Sequence, residues 1–455
     1  MLRTTVSSKL IVLRTMSYLI RIVIFLLCAV LAQIGAKAYC ASTSKPWYDE
    51  LESEWGGQFK TTGTVSWPDD ESYLQPAGTD MFYDGSLDFR LKYKVFFANR
   101  GYFETHYEAV AFGGDTWRKK KELEQTYPHL FENGILFGGQ LNDDHRLMDL
   151  TKTISETNNT IIYHRLDRLV LTLLPKWGTV RMGRQALTWG NGLLFNPMDL
   201  FNPFAPTDIE RDYKVGDDMA VVNLPMKTTG DLQMLYVPRR NPIDNNLESD
   251  QSSLAGKLHV AVGTTEFDVM TAKHYKDFVV GLGSRGYLME AAWRLDTTYT
   301  FLEDTSNRDG FFSLVANIDY SWVWWEKNFY GLVEYFFNGL GSDQYSEALT
   351  DPAIYERIAR GELFTLGRTY LGGEIQVELH PLFNFYLTVI NNLGDPSGII
   401  QPRIIWDMIE NVQLTCGANI YYGGIDTEYG GFKTSQTDFL IKHPDNAFIW
   451  LTYFF

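Results

Sequence analysis

The sequence is poor in cysteine, with three in 455 residues, which excludes a small fold held together by disulfides. Basic residues are in the minority: 40 Lys and Arg stand against 56 Asp and Glu, for a formal charge of −16. This balance argues against a nucleic-acid-binding protein, since phosphate contacts need a basic surface. Only one apolar run, near the N-terminus, is long enough to span a bilayer, so a bundle of membrane helices is excluded too.

Aromatic residues, by contrast, are abundant. The chain has 29 Phe, 26 Tyr and 12 Trp, together 15% of its residues, and 38 Gly. Its mean hydropathy of −0.19 is nevertheless that of a soluble protein. Both properties fit strands with one apolar and one polar face, because the two faces average out over the chain.

Residues 1–38 have the pattern of a secretory signal peptide. Basic residues and no acidic ones accompany the apolar stretch 22–31, and Ala36-Lys37-Ala38 forms a small-x-small cleavage site. We expect cleavage before Tyr39, a short periplasmic segment over 39–56 and a barrel over 57–455. An uncleaved helical anchor is the alternative, and Met16 is an alternative start.

Apolar and polar residues alternate strictly from Leu87 to Phe97, over the length of a tilted strand that crosses a bilayer. A turn at 99–101 and a second alternating segment follow. The hairpin predicts three facing pairs on the polar side: Arg90 with Glu108, Lys92 with His106, and Lys94 with Glu104. Opposite charges on neighbouring strands suit the wet wall of a lumen. A soluble β-sandwich with a solvated outer face is the alternative.

About eighteen segments alternate in this way, so the predicted fold is an all-β, transmembrane antiparallel barrel of 16–18 strands. Short and long connections also alternate, as in outer-membrane barrels. Tight turns are predicted at 99–101, 175–178, 284–286 and 380–381, and long connections at 113–160, 189–216, 239–253, 301–309, 339–363 and 424–444. Trp322, Trp324, Trp325 and Tyr330 surround one turn and fit an interfacial aromatic girdle.

The chain ends in an alternating aromatic segment, Ala447–Phe455. Ile449, Leu451, Tyr453 and Phe455 share one face. We expect this strand to close the barrel, and Tyr453 and Phe455 resemble the C-terminal signal that the barrel-assembly machinery reads.

One segment, 189–218, breaks the alternation. Its two Asn-Pro steps and further prolines prevent a regular strand or helix. Because it is also apolar and aromatic, we expect it to fold into the barrel and narrow the lumen as a constriction loop. Its candidate constriction residues are Asp199, Asp208, Glu210, Arg211 and Asp212.

The strand before this loop offers wall residues for the same constriction. Arg181 and Gln185 point inward if Val180 and Met182 face lipid. Arg184 then points outward, and must lie near a rim or follow a bulge at Gly183. Wall bases opposite loop acids would select solutes by charge and size. In the alternative interpretation, these charges form ion pairs whose only role is to fix the loop to the wall.

The run Leu166-Asp167-Arg168-Leu169, then Gly183-Arg184-Gln185 and Trp189-Gly190 before the Asn-Pro loop, resembles a motif of porin-like outer-membrane families of Gram-negative bacteria, distantly similar to alginate-export-type barrels. The resemblance covers about fifty residues. It implies a single-domain barrel that conducts small solutes, either as a monomer or as a trimer. The acidic loop departs from the basic lumen that an alginate exporter needs.

Three functions remain open: a passive porin for small solutes or ions, a scaffold barrel around a partner such as a cytochrome or export complex, and an outer-membrane enzyme or adhesin. No motif nominates a catalytic residue, a cofactor or a structural metal. Calcium at Asp143-Asp144, Asp217-Asp218 or Asp304 is a weaker alternative. Expected partners are outer-membrane lipid, lipopolysaccharide, the barrel-assembly machinery and small solutes, with a homo-oligomer or a periplasmic partner as further options.

Overall fold

The computed structural model describes residues 51–74, 81–97, 100–126, 143–203, 205, 213–226, 229–303, 308–434 and 437–455. The expected signal peptide and the rest of the N-terminal segment before residue 51 lie outside these ranges. Residues Glu52–Phe455 form one compact unit.

Most of the described chain is β-strand. The elements in chain order are β1 (Leu51–Trp67), β2 (Phe82–Phe97), β3 (Gly101–Gly114), α1 (Asp115–Thr126), β4 (Thr151–Glu156), β5 (Thr160–Leu173), β6 (Thr179–Gln185), β7 (Asp217–Pro225), β8 (Gly230–Val237), β9 (Ser253–Val262), β10 (Thr265–His274), β11 (Asp277–Leu288), β12 (Ala291–Phe301), β13 (Gly310–Trp324), β14 (Lys327–Asn338), α2 (Tyr345–Ala348), α3 (Pro352–Ala359), β15 (Thr369–His380), β16 (Phe383–Asn392), β17 (Ser397–Ile409), β18 (Val412–Tyr422), β19 (Phe432–Thr434), β20 (Thr437–Ile441) and β21 (Asp445–Phe454).

Eighteen of these strands form a closed antiparallel barrel, as the alternation predicts. Each strand pairs with the next along the wall, and β21 closes the barrel against β1, from Gln58–Phe454 to Trp67–Asp445. The short strand β4 continues the wall beside β5, beyond the end of β6. Closure leaves the wall without a free sheet edge over the paired length, which suits a barrel that crosses a bilayer.

The two faces of the wall differ in chemistry. In β10, for example, Phe267 and Val269 are exposed on the outside, whereas Asp268 and Met270 are buried on the inside. The same alternation gives the barrel an apolar outer face and a largely polar inner face. None of the helices in the described ranges is long and apolar enough to cross a membrane.

The predicted tight connections lie at the end of the barrel where β1 begins and β21 ends, and we call this end the turn end. We call the opposite end the loop end. The predicted turn at 284–286 is wrong, because Arg285 and Gly286 lie within β11 and the chain reverses at Met289-Glu290. Met289 has a φ of 56°, so a non-glycine residue takes the left-handed conformation there. The predicted aromatic cluster does surround a turn, at Trp325-Glu326, where Trp324 and Trp325 stack with centroids 4.2 Å apart.

Three further boundaries differ from the sequence prediction. The first strand begins at Leu51, six residues before the expected start at Gly57. The strand expected from Phe364 begins only at Thr369, and Phe364 belongs to the preceding connection. Two connections at the loop end are also short, at 275–276 and 393–396, although short and long connections were expected to alternate.

Candidate functional site

The β2–β3 hairpin has the predicted register. Arg90 faces Glu108, Lys92 faces His106, and Lys94 faces Glu104 across the ladder. Only the first of these pairs is an ion pair, with 3.4 Å between the Arg90 Nη1 and Glu108 Oε1 atoms. Glu104 instead contacts His106 at 2.9 Å, and the Lys94 ammonium lies 4.0 Å from the Tyr102 ring centroid.

Strand β5 contains a β-bulge, and the charged side chains of Asp167 and Arg168 are in contact there. The ladder with β3 shifts register between His106 and Tyr107, and the extra residue on β5 is Asp167. The buried Asp167 carboxylate binds Arg90, Arg168 and the backbone N–H of Gly216. The Leu166–Leu169 run therefore builds an anchor on the wall for the connection that leads into β7.

The C-terminal part of the β6–β7 loop (residues 186–216) covers the basic wall. The Lys92 ammonium donates to the Tyr213 hydroxyl at 2.7 Å, and that hydroxyl donates to Gln58 at 3.2 Å. Arg90 lies against the face of the same ring, 4.2 Å from its centroid. Arg90 is only 2% exposed, so it serves to hold this loop rather than to meet solvent.

The N-terminal part of the same loop is fastened to β12 and β14. Asn191 donates its backbone N–H and its side-chain amide to Asp296. The Glu334 carboxylate accepts three consecutive backbone N–H groups, from Leu193 at 2.8 Å, Leu194 at 3.0 Å and Phe195 at 2.6 Å. Asn317 donates a fourth hydrogen bond to Glu334 at 2.9 Å.

Apolar packing reinforces both attachments. The Phe195 ring stacks on Phe336 of β14 with centroids 4.5 Å apart. Trp189 and Met198 are buried in a cluster with the wall residues Met270 and Val279. These contacts are consistent with the sequence prediction that this aromatic loop does not extend into water, since its aromatic side chains Trp189, Phe195 and Phe201 pack on inward-facing wall residues.

Arg184 lies at the loop end of β6, next to its last residue, and the ladders on both sides show no register shift at Gly183. The sequence predicted that Arg184 either lies near a rim of the barrel or follows a bulge at Gly183. The structure has the rim position and no bulge. The guanidinium is 1% exposed and binds Asp218 at 2.9 Å and Asp143 at 2.8 Å. It also donates to the Met148 carbonyl at 2.5 Å, so segment 143–150 covers this arginine.

The neighbouring wall residues follow the predicted alternation. Met182 is 43% exposed, and Arg181 pairs in the ladder with the buried Thr172 and Val221. Gln185 is buried and donates to the Met219 carbonyl at 3.2 Å. Of the carboxylates considered for calcium, Asp143 and Asp218 bind Arg184, and Asp217 binds Arg239.

Two cavities lie inside the barrel. The larger, of about 740 Å³, is bounded by the β1–β5 wall, and the smaller, of about 420 Å³, by β14–β17. Five residues line both cavities, and we call this set the neck: Pro203, Ala205, Lys214, Glu362 and Phe364. Three belong to the β6–β7 loop and two to the connection between α3 and β15.

The neck carries two charged side chains in different environments. The Lys214 ammonium binds the Asp199 carboxylate within its own loop and donates to the Thr188 hydroxyl at 2.9 Å. Burial raises the pKa of Asp199 to about 7, although Lys214 opposes the shift. Burial also acts to raise the pKa of Glu362, but contact with His274 and the nearby Arg360 and Arg357 hold it at about 2.

The connection that carries Glu362 is held by a second carboxylate, Glu428, in the β18–β21 connection. Glu428 accepts the backbone N–H of Leu366 at 2.5 Å, the Tyr370 hydroxyl at 2.5 Å and the Asn392 amide at 2.7 Å. Burial raises the pKa of Glu428, and these donors oppose the shift. The position of Glu362 thus depends on contacts from several strands and loops.

The remaining residues named from the sequence have different outcomes. Asp208, Glu210, Arg211, Asp212 and Asp304 lie outside the described residues. Asp199 does not face a wall base, as the constriction hypothesis required, but pairs with Lys214 of its own loop. Tyr453 and Phe455 lie at the turn end, where the Phe455 backbone pairs with Gly57 and the Tyr453 side chain is exposed on the outer face.

Sequence reasoning missed the carboxylates that organise the site: Asp296, Glu334, Glu362 and Glu428. Glu334 had a usable signal, because it is an acid on the inward phase of a strand that is otherwise uncharged from Asn328 to Asn338, whereas Asp296 follows Arg294 on the same phase. Glu362 and Glu428 lie in irregular connections and had none. Within the described residues no group of three or more His, Cys, Asp or Glu side chains is arranged to hold a metal ion.

Comparison with known proteins yields a fold but no family. No protein-family model matches the chain, and no curated protein matches its sequence. The crystal structure of Acinetobacter baumannii OccAB1 is similar, with a TM-score of 0.50 at 9% identity over 91% of this chain and 98% of that one. Two Pseudomonas aeruginosa structures are OccK5 (OpdH), at 8% identity, TM-score 0.49 and coverage of 89% and 98%, and OccK8 (OprE), at 7%, 0.48 and the same coverage.

Proposed function

We propose that the protein is an outer-membrane channel for the passive diffusion of small solutes or ions. The observation that carries this proposal is the neck: a closed barrel with an apolar outer face encloses two cavities that meet at five residues. In this proposal the neck is a narrow passage between the two cavities, which lets a barrel of this size discriminate among solutes.

The β6–β7 loop is the constriction loop in this proposal. Its support is that one part of the loop is fastened to β12 and β14 through Asp296 and Glu334, and another part to β2 and β5 through Arg90 and Asp167. A loop bound at two separate places on a barrel wall narrows the space between them. Of the residues named from the sequence, Lys92, Arg181 and Gln185 belong to the wall, and Asp199 to the loop.

The outer membrane is the proposed location. The apolar outer face of the barrel, the signal-peptide pattern of residues 1–38 and the C-terminal Tyr453 and Phe455 support it. The fold itself is similar to that of OccAB1. Lipopolysaccharide and the barrel-assembly machinery are the corresponding partners.

Planar-bilayer recording tests the proposal. Purified full-length protein, folded in detergent, should insert into the bilayer and give discrete ion-conducting steps. The matched control is the same protein unfolded by heat before addition. A folded barrel that inserts into liposomes but never conducts would overturn the channel and favour the scaffold hypothesis.

A further inference from the structure

The neck has one carboxylate, Glu362, that forms no ion pair with a lysine or arginine within the described residues. Pro203, Ala205 and Phe364 are uncharged, and the Lys214 ammonium is bound by Asp199. Glu362 remains. Its ion-pair contact in the described structure is with His274, at 2.9 Å between Nε2 and Oε1. An imidazole with an ordinary pKa near 6.5 is mostly neutral at pH 7.

The arginines around Glu362 are each bound to another acid. Arg357 binds Asp277, Arg360 binds Glu356 at 2.8 Å, and Arg239 binds Asp217 at 2.8 Å. The Lys214 ammonium contacts Asp199 in the same way. Of the acids named here, Glu362 alone has an imidazole, and no lysine or arginine, as its ion-pair contact within the described residues.

The Glu362 carboxylate is also held in place. The His274 imidazole and the Ser253 hydroxyl form a hydrogen bond of 3.0 Å. This bond fixes the imidazole that contacts Glu362. The Glu362 backbone N–H donates to the Arg357 carbonyl at 2.8 Å, at the end of α3. Arg360 stacks 3.8 Å from the Tyr275 ring centroid, which ties the same segment to the β10–β11 turn.

We propose that Glu362 is the charge-selecting residue of this channel and that it gives the pore a preference for small cations. The inference rests on the proposed channel function. A fixed charge acts most strongly on an ion where the passage is narrowest, because least water separates and screens the two there. Glu362 comes from the α3–β15 connection, not from the β6–β7 loop in which the sequence placed the selecting acids.

The test is the reversal potential of the full-length protein in a planar bilayer under a KCl gradient. Wild-type protein should prefer K⁺ over Cl⁻, and Glu362→Gln should lose most of that preference while still conducting. Glu347→Gln is the matched control, because Glu347 is exposed on α2 and lines neither cavity. Glu362→Asp keeps the charge and should keep the preference.

The outcomes separate this inference from the channel function itself. If wild-type protein does not conduct, the channel function fails. If wild-type protein conducts but prefers Cl⁻, or if Glu362→Gln conducts with unchanged selectivity, the channel stands and the role of Glu362 is wrong. The wild-type measurement needs no variant, so the inference can be refuted even if Glu362→Gln does not fold.

Discussion

The attachment of the β6–β7 loop to Glu334 gives the sharpest prediction about the fold. Glu334 is fully buried, and its carboxylate accepts four N–H groups, three of them from the consecutive backbone positions Leu193, Leu194 and Phe195. Glu334→Gln keeps the shape of the side chain. The substitution replaces one accepting oxygen with an NH₂ group. This group can only donate hydrogen bonds, so it cannot accept from the N–H groups that it faces.

The expected cost follows from that geometry. At least two of the four donors lose their acceptor, and each buried unsatisfied donor costs about 1–3 kcal/mol. If the free energy that holds the loop to the wall falls by about 4 kcal/mol, the equilibrium population of the detached loop rises about a thousandfold, because each factor of ten corresponds to about 1.4 kcal/mol. The Phe195–Phe336 stacking remains and sets a limit on how far the loop moves away.

Hydrogen–deuterium exchange measures this effect without relying on channel activity. Exchange of the amides at residues 193–195 should accelerate by up to about a thousandfold in Glu334→Gln, because these amides become free to open. Exchange in the strands on the opposite wall should not change. Glu347→Gln is the control for the substitution itself. Unchanged exchange at 193–195 in folded Glu334→Gln would show that this carboxylate does not hold the loop.

Three other substitutions test separate parts of the account. Arg184→Met should destabilise the barrel by about 3–5 kcal/mol, because it takes the guanidinium away from the buried Asp218 carboxylate and leaves Asp143 with Arg146 alone; an unchanged temperature for loss of the folded band in gel electrophoresis would contradict this. Asp143 has a pKa lowered to about 2 by Arg184 and Arg146 despite burial, so it stabilises the fold above its ordinary pKa near 3.8 and that contribution disappears as pH falls from about 4 to 2. Acid unfolding of Asp143→Asn should therefore show a shallower pH dependence over this range, and an identical profile would refute the pairing. Phe455→Ala should lower the amount of folded barrel in the outer membrane of cells while leaving detergent refolding intact, and equal amounts in the membrane would exclude Phe455 as an assembly signal.

The barrel wall was predictable because two simple patterns determine it. Period-two alternation marks each strand and its faces, so all eighteen predicted segments contain a barrel strand. The three-residue turn at 99–101 then predicted the register of one hairpin, with Arg90 opposite Glu108. The terminal alternation likewise placed Ile449 and Leu451 on the outer face of β21.

The interior was less predictable because its contacts join distant parts of the chain. Glu334 binds backbone N–H groups about 140 residues earlier, and a backbone donor leaves no mark in the sequence. Glu362 lies in the predicted long connection 339–363, where no alternation indicates which side chains reach the interior. The turn at Met289-Glu290 was missed because glycine signals pointed to Gly286, whereas Met289 itself adopts the left-handed conformation.

The central claim is that this barrel is a conducting channel with a neck between its two cavities. Single-channel recording of the purified full-length protein in a planar bilayer tests that claim most directly. We expect discrete conductance steps that are absent from heat-unfolded protein and that show a preference for K⁺ in a KCl gradient. A folded barrel that enters the bilayer and never passes current would contradict it.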